Sequence, residues 1–246
     1  MRICTWNIHA WGDAAGRSRV DDVIGVLAGL QADVVVLNEV LSPGGPLLRL
    51  SRHLDRDVFF GPAAFGGNAV LAPRGATARS VTLAVKGGEV RNALVVDVGD
   101  VVVVAVHLDH RRESVRCAQL RVLWDALAAP GPHLLVGDLN AIDPLDLPLP
   151  RYREVAAMRA RHGHEAPRDD VVRLLRAAGY VDTARIGAAP GPLPERLQRT
   201  CWAGTRVDHV WLDRALSPRI TGSAIHIVDS DASDHEPVVV DLTLAG

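Results

Sequence analysis

The chain is built from short apolar runs that stop on polar residues. Arg2-Ile3-Cys4-Thr5-Trp6-Asn7 reads as a strand that reaches an amide. Asp33-Val34-Val35-Val36-Leu37-Asn38-Glu39 is too uniformly apolar and β-branched for a surface strand, and it ends on an acid. Val101 to Leu108 runs into His107-Leu108-Asp109-His110. His133-Leu134-Leu135-Val136 is a buried strand leading into Gly137-Asp138-Leu139-Asn140. Strand alternation would put Asp138 and Asn140 on one side of the chain, although Gly, Asp and Asn also favour a turn. Val207 to Leu212, Ile225 to Val228 and Pro237 to Leu242 complete the strongest strand signals.

Helical spacing interrupts these runs. Val20, Val23, Ile24, Leu27 and Leu30 recur at helical period, with Ser18 and Asp21 placed like a capping box. A short helix is expected to end near Leu54, another to run from about Ser114 to Ala128, a third from Arg151 and a fourth from about Asp169 to Ala178, where Gly179 stops it. Val58-Phe59-Phe60, Asn68 to Ala72, Val81 to Val85 and Val90 to Val98 read as further strands, with hairpin signals at Gly87-Gly88 and Gly99-Asp100. Thr200-Cys201-Trp202 is expected as a short strand. Strands dominate and often pair as hairpins, so the class is α/β with mixed sheets. No linker divides the chain, and one domain over residues 1–246 is expected.

Composition narrows the function. A hydrophobic content of 48% supports a core of ordinary size. The formal net charge of −2 leaves no global basic field for nucleic acid or an anionic membrane. Cys4, Cys117 and Cys201 are scattered and odd in number, which reads as reduced thiols. Met1-Arg2 leads straight into a strand, and the Val101 to Val106 run is too short to span a bilayer, so a cytoplasmic protein is expected.

The polar residues at the strand ends form a chemical set. Asn7, Glu39, His107, Asp138, Asn140, Asp208, Asp234 and His235 all fall at or near such ends. Oxygen ligands from Asn, Asp and Glu suit Mg²⁺ or Mn²⁺. A hard cation among carboxylates and imidazoles is the chemistry of phosphoester hydrolysis. The chain has neither the H-E-x-x-H helix of zinc proteases nor the G-x-S-x-G elbow of serine hydrolases.

The ordered motifs Trp6-Asn7, Asn38-Glu39, Gly67-Asn68-Ala69-Val70, His107-Leu108, Gly137-Asp138-Leu139-Asn140, Arg206-Val207-Asp208-His209 and Ser233-Asp234-His235-Glu236-Pro237 resemble those of the endonuclease/exonuclease/phosphatase superfamily, over about residues 1–243. The resemblance implies the pancreatic-deoxyribonuclease-like fold, a four-layer α/β sandwich of two face-to-face mixed sheets with helices outside. It also implies Glu39 as the main Mg²⁺ or Mn²⁺ ligand, with Asn7 and Asp234. It implies Asp138 orienting or deprotonating water, Asn140 holding phosphate or water, Asp208 fixing the tautomer of His235, and His107 donating to a non-bridging oxygen. Asn68 and Arg91 match supporting, substrate-side positions. Two features depart from the abasic-site repair branch: His9 stands where that branch has an acid, and His107 where it tends to have Tyr. His9, His110 and His209 are otherwise expected as surface or packing residues.

Three functions follow. The first is a metal-dependent phosphoesterase acting on a small or lipid-derived mono- or diester. The second is a DNA endonuclease or exonuclease of the same fold. The third is an inactive binding module, which the filled catalytic positions disfavour. With 4% aromatic residues and no net positive charge, nucleic acid is the less favoured partner, and a monomer is the default.

Overall fold

The structure is a computed structural model describing residues 1–13, 15–64, 66–127 and 131–245. Twelve strands form two six-stranded mixed sheets. The first sheet contains β1 (Arg2–Asn7), β2 (Val34–Val40), β3 (Asp57–Gly61), β4 (Gly67–Ala72), β11 (Ile220–Ile227) and β12 (Val238–Leu244), in the order β11-β12-β1-β2-β4-β3. The second contains β5 (Thr77–Leu83), β6 (Arg91–Asp97), β7 (Val102–His107), β8 (His133–Asp138), β9 (Val181–Asp182) and β10 (Asp208–Leu212), in the order β5-β6-β7-β8-β10-β9. Each sheet has one parallel pair near its centre, β1 with β2 and β7 with β8.

Alternation explains why the central strands are apolar throughout. Ile3, Val34, Val36, Val103, Ala105, Leu134, Val136 and Val210 point into the space between the sheets, where Val70 and Val240 also pack. Their neighbours point outward onto helices. Cys4, Val35 and Leu37 meet Val23, Leu27, Leu47 and Leu50 of α1 (Val20–Leu30) and α2 (Gly45–Leu54). Val104, Val106 and Leu135 meet Leu120 and Leu123 of α3 (Glu113–Leu127) and Val171 and Leu175 of α5 (Asp170–Ala177). A strand covered on both faces has no polar side. Each such side chain contributes about 1.5–3 kcal/mol on burial. The result is the four-layer sandwich. The remaining helix, α4 (Leu149–Arg161), stands apart over a small cluster of Ile142, Leu147, Val155 and Val207.

Several local expectations change. Ser18 does not cap α1; the N-cap is Arg19 without a side-chain bond, and Ser18 instead bridges to Gly12. Thr200-Cys201-Trp202 is not a strand: only Cys201 bridges, to His235, because the segment folds into tight turns around Thr205. The expected helix end at Ala128 lies outside the described residues. The three cysteines are free, and no helix among the described residues is long and apolar enough to cross a membrane.

Gly137 lies opposite Val106 in the parallel β7–β8 pair. Its φ is 135°, and an added Cβ would lie 2.0 Å from the Val106 carbonyl oxygen. We expect Gly137→Ala to lose about 3 kcal/mol or more of stability through strain and clash. Gly25→Ala, on the open face of α1 with nothing within 4 Å, should instead gain up to about 1 kcal/mol. Urea midpoints of the two variants measure both; equal midpoints would refute the contrast.

Candidate active site

The inter-sheet positions of seven strands are polar at one edge of the sandwich, and they meet there. Asn7 pairs across from Asn38, His107 from Asp138, and Asp138 from Asp208. Parallel β1, β2, β7 and β8 bring their carboxyl ends here, while β4, β6 and β10 enter with their first residues. Beneath the site lies Asn38, fully buried. Its Nδ2 donates to Asn68 Oδ1 at 2.7 Å and to the Val106 carbonyl at 3.0 Å, and its Oδ1 accepts from the Asp138 N–H at 2.9 Å. Asn68 donates onward to the Asn92 carbonyl at 2.7 Å. Expected on the substrate side, Asn68 is instead held under the site by these two neighbours and does not line the cleft.

Glu39 reaches the cleft through a β-bulge. Strict alternation would turn it outward with Leu37, toward the helices. The register with β4 shifts between Leu37 and Val40, and Glu39 takes φ 59°. A bulge of this kind re-aims one side chain. The Glu39 carboxylate then accepts from Asn7 Nδ2 at 3.0 Å. The same nitrogen donates to Asp138 Oδ2 at 3.2 Å, while Asn7 Oδ1 accepts from the His9 N–H at 3.1 Å.

Asp138 is nearly inaccessible and lies between charges. Burial and the facing charge of Asp208 push its pKa up to about 7, against the pull of His235, the Asn140 N–H and the Asn7 amide. Asn140 lies past the strand end at φ 50°, so alternation does not govern it. Its N–H holds Asp138 Oδ1 at 2.8 Å and its Nδ2 donates to the Leu108 carbonyl at 3.1 Å. The segment is thus a turn that also fixes the carboxylate.

Two imidazoles flank Asp138 in opposite states. His107 is buried, and its Nδ1 accepts from Arg91 Nη1 at 3.1 Å, which leaves the proton on Nε2. Burial, then the Arg91 charge, holds its pKa well below the ordinary value. Its Nε2 lies 3.6 Å from Asp138 Oδ2 and 4.0 Å from Glu39 Oε1. Arg91 is balanced by Glu89 at 2.7 Å. Burial also opposes charge on His235, but Asp208 and Asp138 outweigh it and lift its pKa well above the ordinary value. His235 Nδ1 donates to Asp208 Oδ2 at 2.8 Å, and Thr200 Oγ1 donates to the same oxygen at 2.6 Å. The loop bearing His235 is latched by Trp6 Nε1 on the His235 carbonyl at 2.8 Å and by Ser233 Oγ on the Asn7 carbonyl at 2.7 Å.

Two groupings could receive a cation. Asp138, Asp208 and His235 bring one ligand atom each within 4.8 Å of one another. Asp208 and His235 are already bonded to each other, so an ion there would break that bond. Glu39 and Asp234 are more open, with side chains 30% and 27% exposed, and their oxygens lie 3.9 and 3.3 Å from His9 Nδ1. The His9 ring stands between the two carboxylates. Asn7 presents nitrogen to Glu39 as placed; to offer oxygen to a cation its amide would have to turn over.

The cleft above these groups encloses about 460 Å³. His9 and His110, expected at the surface or in packing, both line it, whereas His209 is a packing residue bonded to the Ala141 carbonyl at 3.1 Å. One wall is the end of α4 and the turn after it, with Met158, Arg159, His162 and His164. Trp202 is 63% exposed at the mouth, edge-on to His162 with centroids 5.8 Å apart. Asn38, Thr200 and Trp202 are not among the expected site residues, and Arg159 is expected only as one of five arginines (Arg151, Arg153, Arg159, Arg161 and Arg168) that could form a basic rim beside Asp138 or a solvated helix face. Asn38 sits inside a recognised motif; Thr200 and Trp202 carry no pattern of their own.

Known proteins share this fold. The sequence profile described as the Endonuclease/Exonuclease/phosphatase family matches residues 4–235. The crystal structure of an endonuclease/exonuclease/phosphatase from Beutenbergia cavernae is 25% identical, covering 100% of this chain and 72% of that one, with a TM-score of 0.71. The 3′ phosphatase NExo from Neisseria, bound to a product DNA hairpin, is 18% identical over 99% of each chain at a TM-score of 0.72. An endonuclease/exonuclease/phosphatase from Bacteroides vulgatus is 19% identical, covering 99% of this chain and 98% of that one, at 0.69. No curated protein sequence matches this chain. With its profile matched over nearly the whole length and its polar strand ends gathered at one sheet edge, the chain belongs to the endonuclease/exonuclease/phosphatase family.

Proposed function

We propose that the protein is a divalent-metal-dependent phosphoesterase that cleaves a small or lipid-derived phosphoester by in-line attack of water. The observation that carries this reading is the convergence of Glu39, His107, Asp138, Asn140 and His235, drawn from both sheets, on one cleft. Asp138 is the water's base. It titrates near neutrality, whereas His235 holds its proton too firmly to accept another at the start of the reaction. With Nδ1 held by Asp208, His235 presents Nε2–H to the phosphate as a cationic donor. Neutral His107 donates its Nε2–H to a non-bridging oxygen. Asn140 holds the water or the phosphate. Glu39 and Asp234, with Asn7 in support, fit a hard cation such as Mg²⁺ or Mn²⁺, which when bound would neutralise phosphate charge.

Part of the surface arginine set supports a small substrate over duplex DNA. Arg17, Arg49, Arg74, Arg151 and Arg199 each pair with a nearby carboxylate, which leaves them poorly placed to form a basic track for a nucleic-acid backbone. The cleft volume lies in the range of small-molecule pockets. DNA is the second reading. It is favoured by Trp202, an exposed ring at the cleft mouth on which a base or sugar could pack.

A panel of small mono- and diesters, plasmid and abasic-site duplex, each with Mg²⁺, Mn²⁺ or EDTA, tests both points. Hydrolysis of a small ester should vanish in EDTA and return with either ion. Full activity in metal-free buffer would refute the metal, and efficient DNA cleavage without small-ester turnover would reverse the substrate choice. Asp138→Asn should lower kcat about 10²–10⁴-fold. In wild type, kcat/KM should rise as pH climbs through about 7, because the reactive form of Asp138 is the deprotonated one; a flat profile from pH 5 to 9 argues against Asp138 as base. Asp208→Asn should drop the His235 ring pKa, read by NMR. In a double-mutant cycle with His235→Ala its kinetic effect should be far from additive. An unmoved ring pKa would separate the two residues.

A further inference from the structure

Among the described residues, one buried arginine of the cleft has no carboxylate partner. Four arginines are buried among the described residues: Arg91, Arg116, Arg159 and Arg206. Three have carboxylate partners. Arg206 bonds Asp146 and Asp182, Arg116 bonds Glu113, and Arg91 bonds Glu89. Arg159 is 9% exposed, and among the described residues its side chain has neither an ion pair nor a hydrogen bond; its Nε is buried and unpartnered. One acid that acts on it, Glu113, is already engaged. Glu113 gives Oε2 to Arg116 and Oε1 to the Val171 N–H at the start of α5. Other arginines of the same segment are ordinary surface groups, Arg151 paired with Glu154 and Arg168 with Asp170.

A buried charge without a partner costs free energy, and a fold that keeps one gains nothing from it as an isolated protein. Arg159 lines the same cleft as Asp138, Asn140 and His235. Burial and the Arg116 charge lower its pKa, while Asp138 is among the charges that oppose this. We propose that Arg159 is the substrate's anion receptor, its guanidinium fork holding non-bridging oxygens of the reacting phosphate. The inference deepens the phosphoesterase reading, on which it rests. Arg suits this task because its planar fork matches two phosphate oxygens, whereas an ammonium offers a single point of charge. It also gives α4 a role: the helix carries a phosphate-binding group to the cleft wall facing the strand-end carboxylates.

The test uses the whole protein and two variants, Arg159→Met and Arg159→Lys. Inorganic phosphate is titrated calorimetrically into each, with Mg²⁺ and with EDTA, alongside KM for whichever ester the wild type cleaves. Arg159→Met should weaken phosphate binding and raise KM by about 10–100-fold, the range for a lost charge-assisted hydrogen bond. Its melting temperature should be unchanged or higher, because a lone buried charge is gone. Arg159→Lys should recover part of the affinity. Phosphate affinity within twofold of wild type in Arg159→Met overturns the proposal. So does unfolding of that variant, since the guanidinium would then be holding the fold together. Absence of measurable phosphate binding to wild type at millimolar concentration overturns it as well. If phosphate binding depends on Arg159 yet no ester in the panel is cleaved, the functional reading fails and this site stands. If esters are cleaved and phosphate binding ignores Arg159, the reverse holds.

Discussion

Every part of the site depends on closing a polar layer over the end of an apolar sandwich. Two sheets packed on Val, Ile and Leu have no partner to offer a buried amide or carboxylate, and an unpaired polar group there costs several times what a made hydrogen bond contributes. Asn38 resolves this. One side chain from the first sheet reaches β7 and β8 of the second and takes in Asn68 on its own side. The clip sets the distance between the sheets where the chemistry sits. It also fixes the backbone of Asp138 from behind, so the carboxylate that faces the cleft is held at its root as well as at its oxygens.

Above that layer the charges are interdependent. Asp138 and Asp208 face each other across the β8–β10 pair, and two like charges so placed cannot both be cheaply ionised. The His235 ring, its pKa lifted chiefly by Asp208, donates to Asp208, and Thr200 adds a neutral donor to the same oxygen. Asp138 is left as the group that gives way, with a pKa pushed up to about 7. Deprotonation of Asp138 places a buried negative charge against the cleft.

Much of this was legible in the chain, and the remainder was hidden for identifiable reasons. The central strands announced themselves because both faces are covered, leaving long β-branched runs such as Val34 to Leu37. Their polar ends announced the site, because a run so apolar has no reason to stop on Asn7, His107 or Asp138 unless those groups are used. Glu39 was found by its motif, but its direction was not readable: alternation points it at α1 and α2, and only the bulge brings it round. Asn140 failed the same rule for a similar reason, lying in a turn past the strand end. Ser18 had the composition of a cap without the backbone to use it. Arg159 was invisible as an individual, since five arginines in the 151–168 segment look alike until burial separates one from its neighbours.

The order of strands in the first sheet has a further consequence, for how the protein is made. β1 is flanked by β2 on one side and β12 on the other, and the Trp6 latch onto the His235 loop joins residues 229 apart in the chain. At a synthesis rate of about 5–20 residues per second, β1 waits roughly ten to fifty seconds for that partner. Loop closure over so long a span is slow even once the partner has emerged. Throughout that interval one edge of β1 is an open ladder, even after β7 and β8 have supplied an opposing apolar layer for Ile3, Val34 and Val36. The nascent protein is therefore open to edge-to-edge pairing during its own translation, and the cleft takes its shape only when the His235 loop and β12 dock on β1.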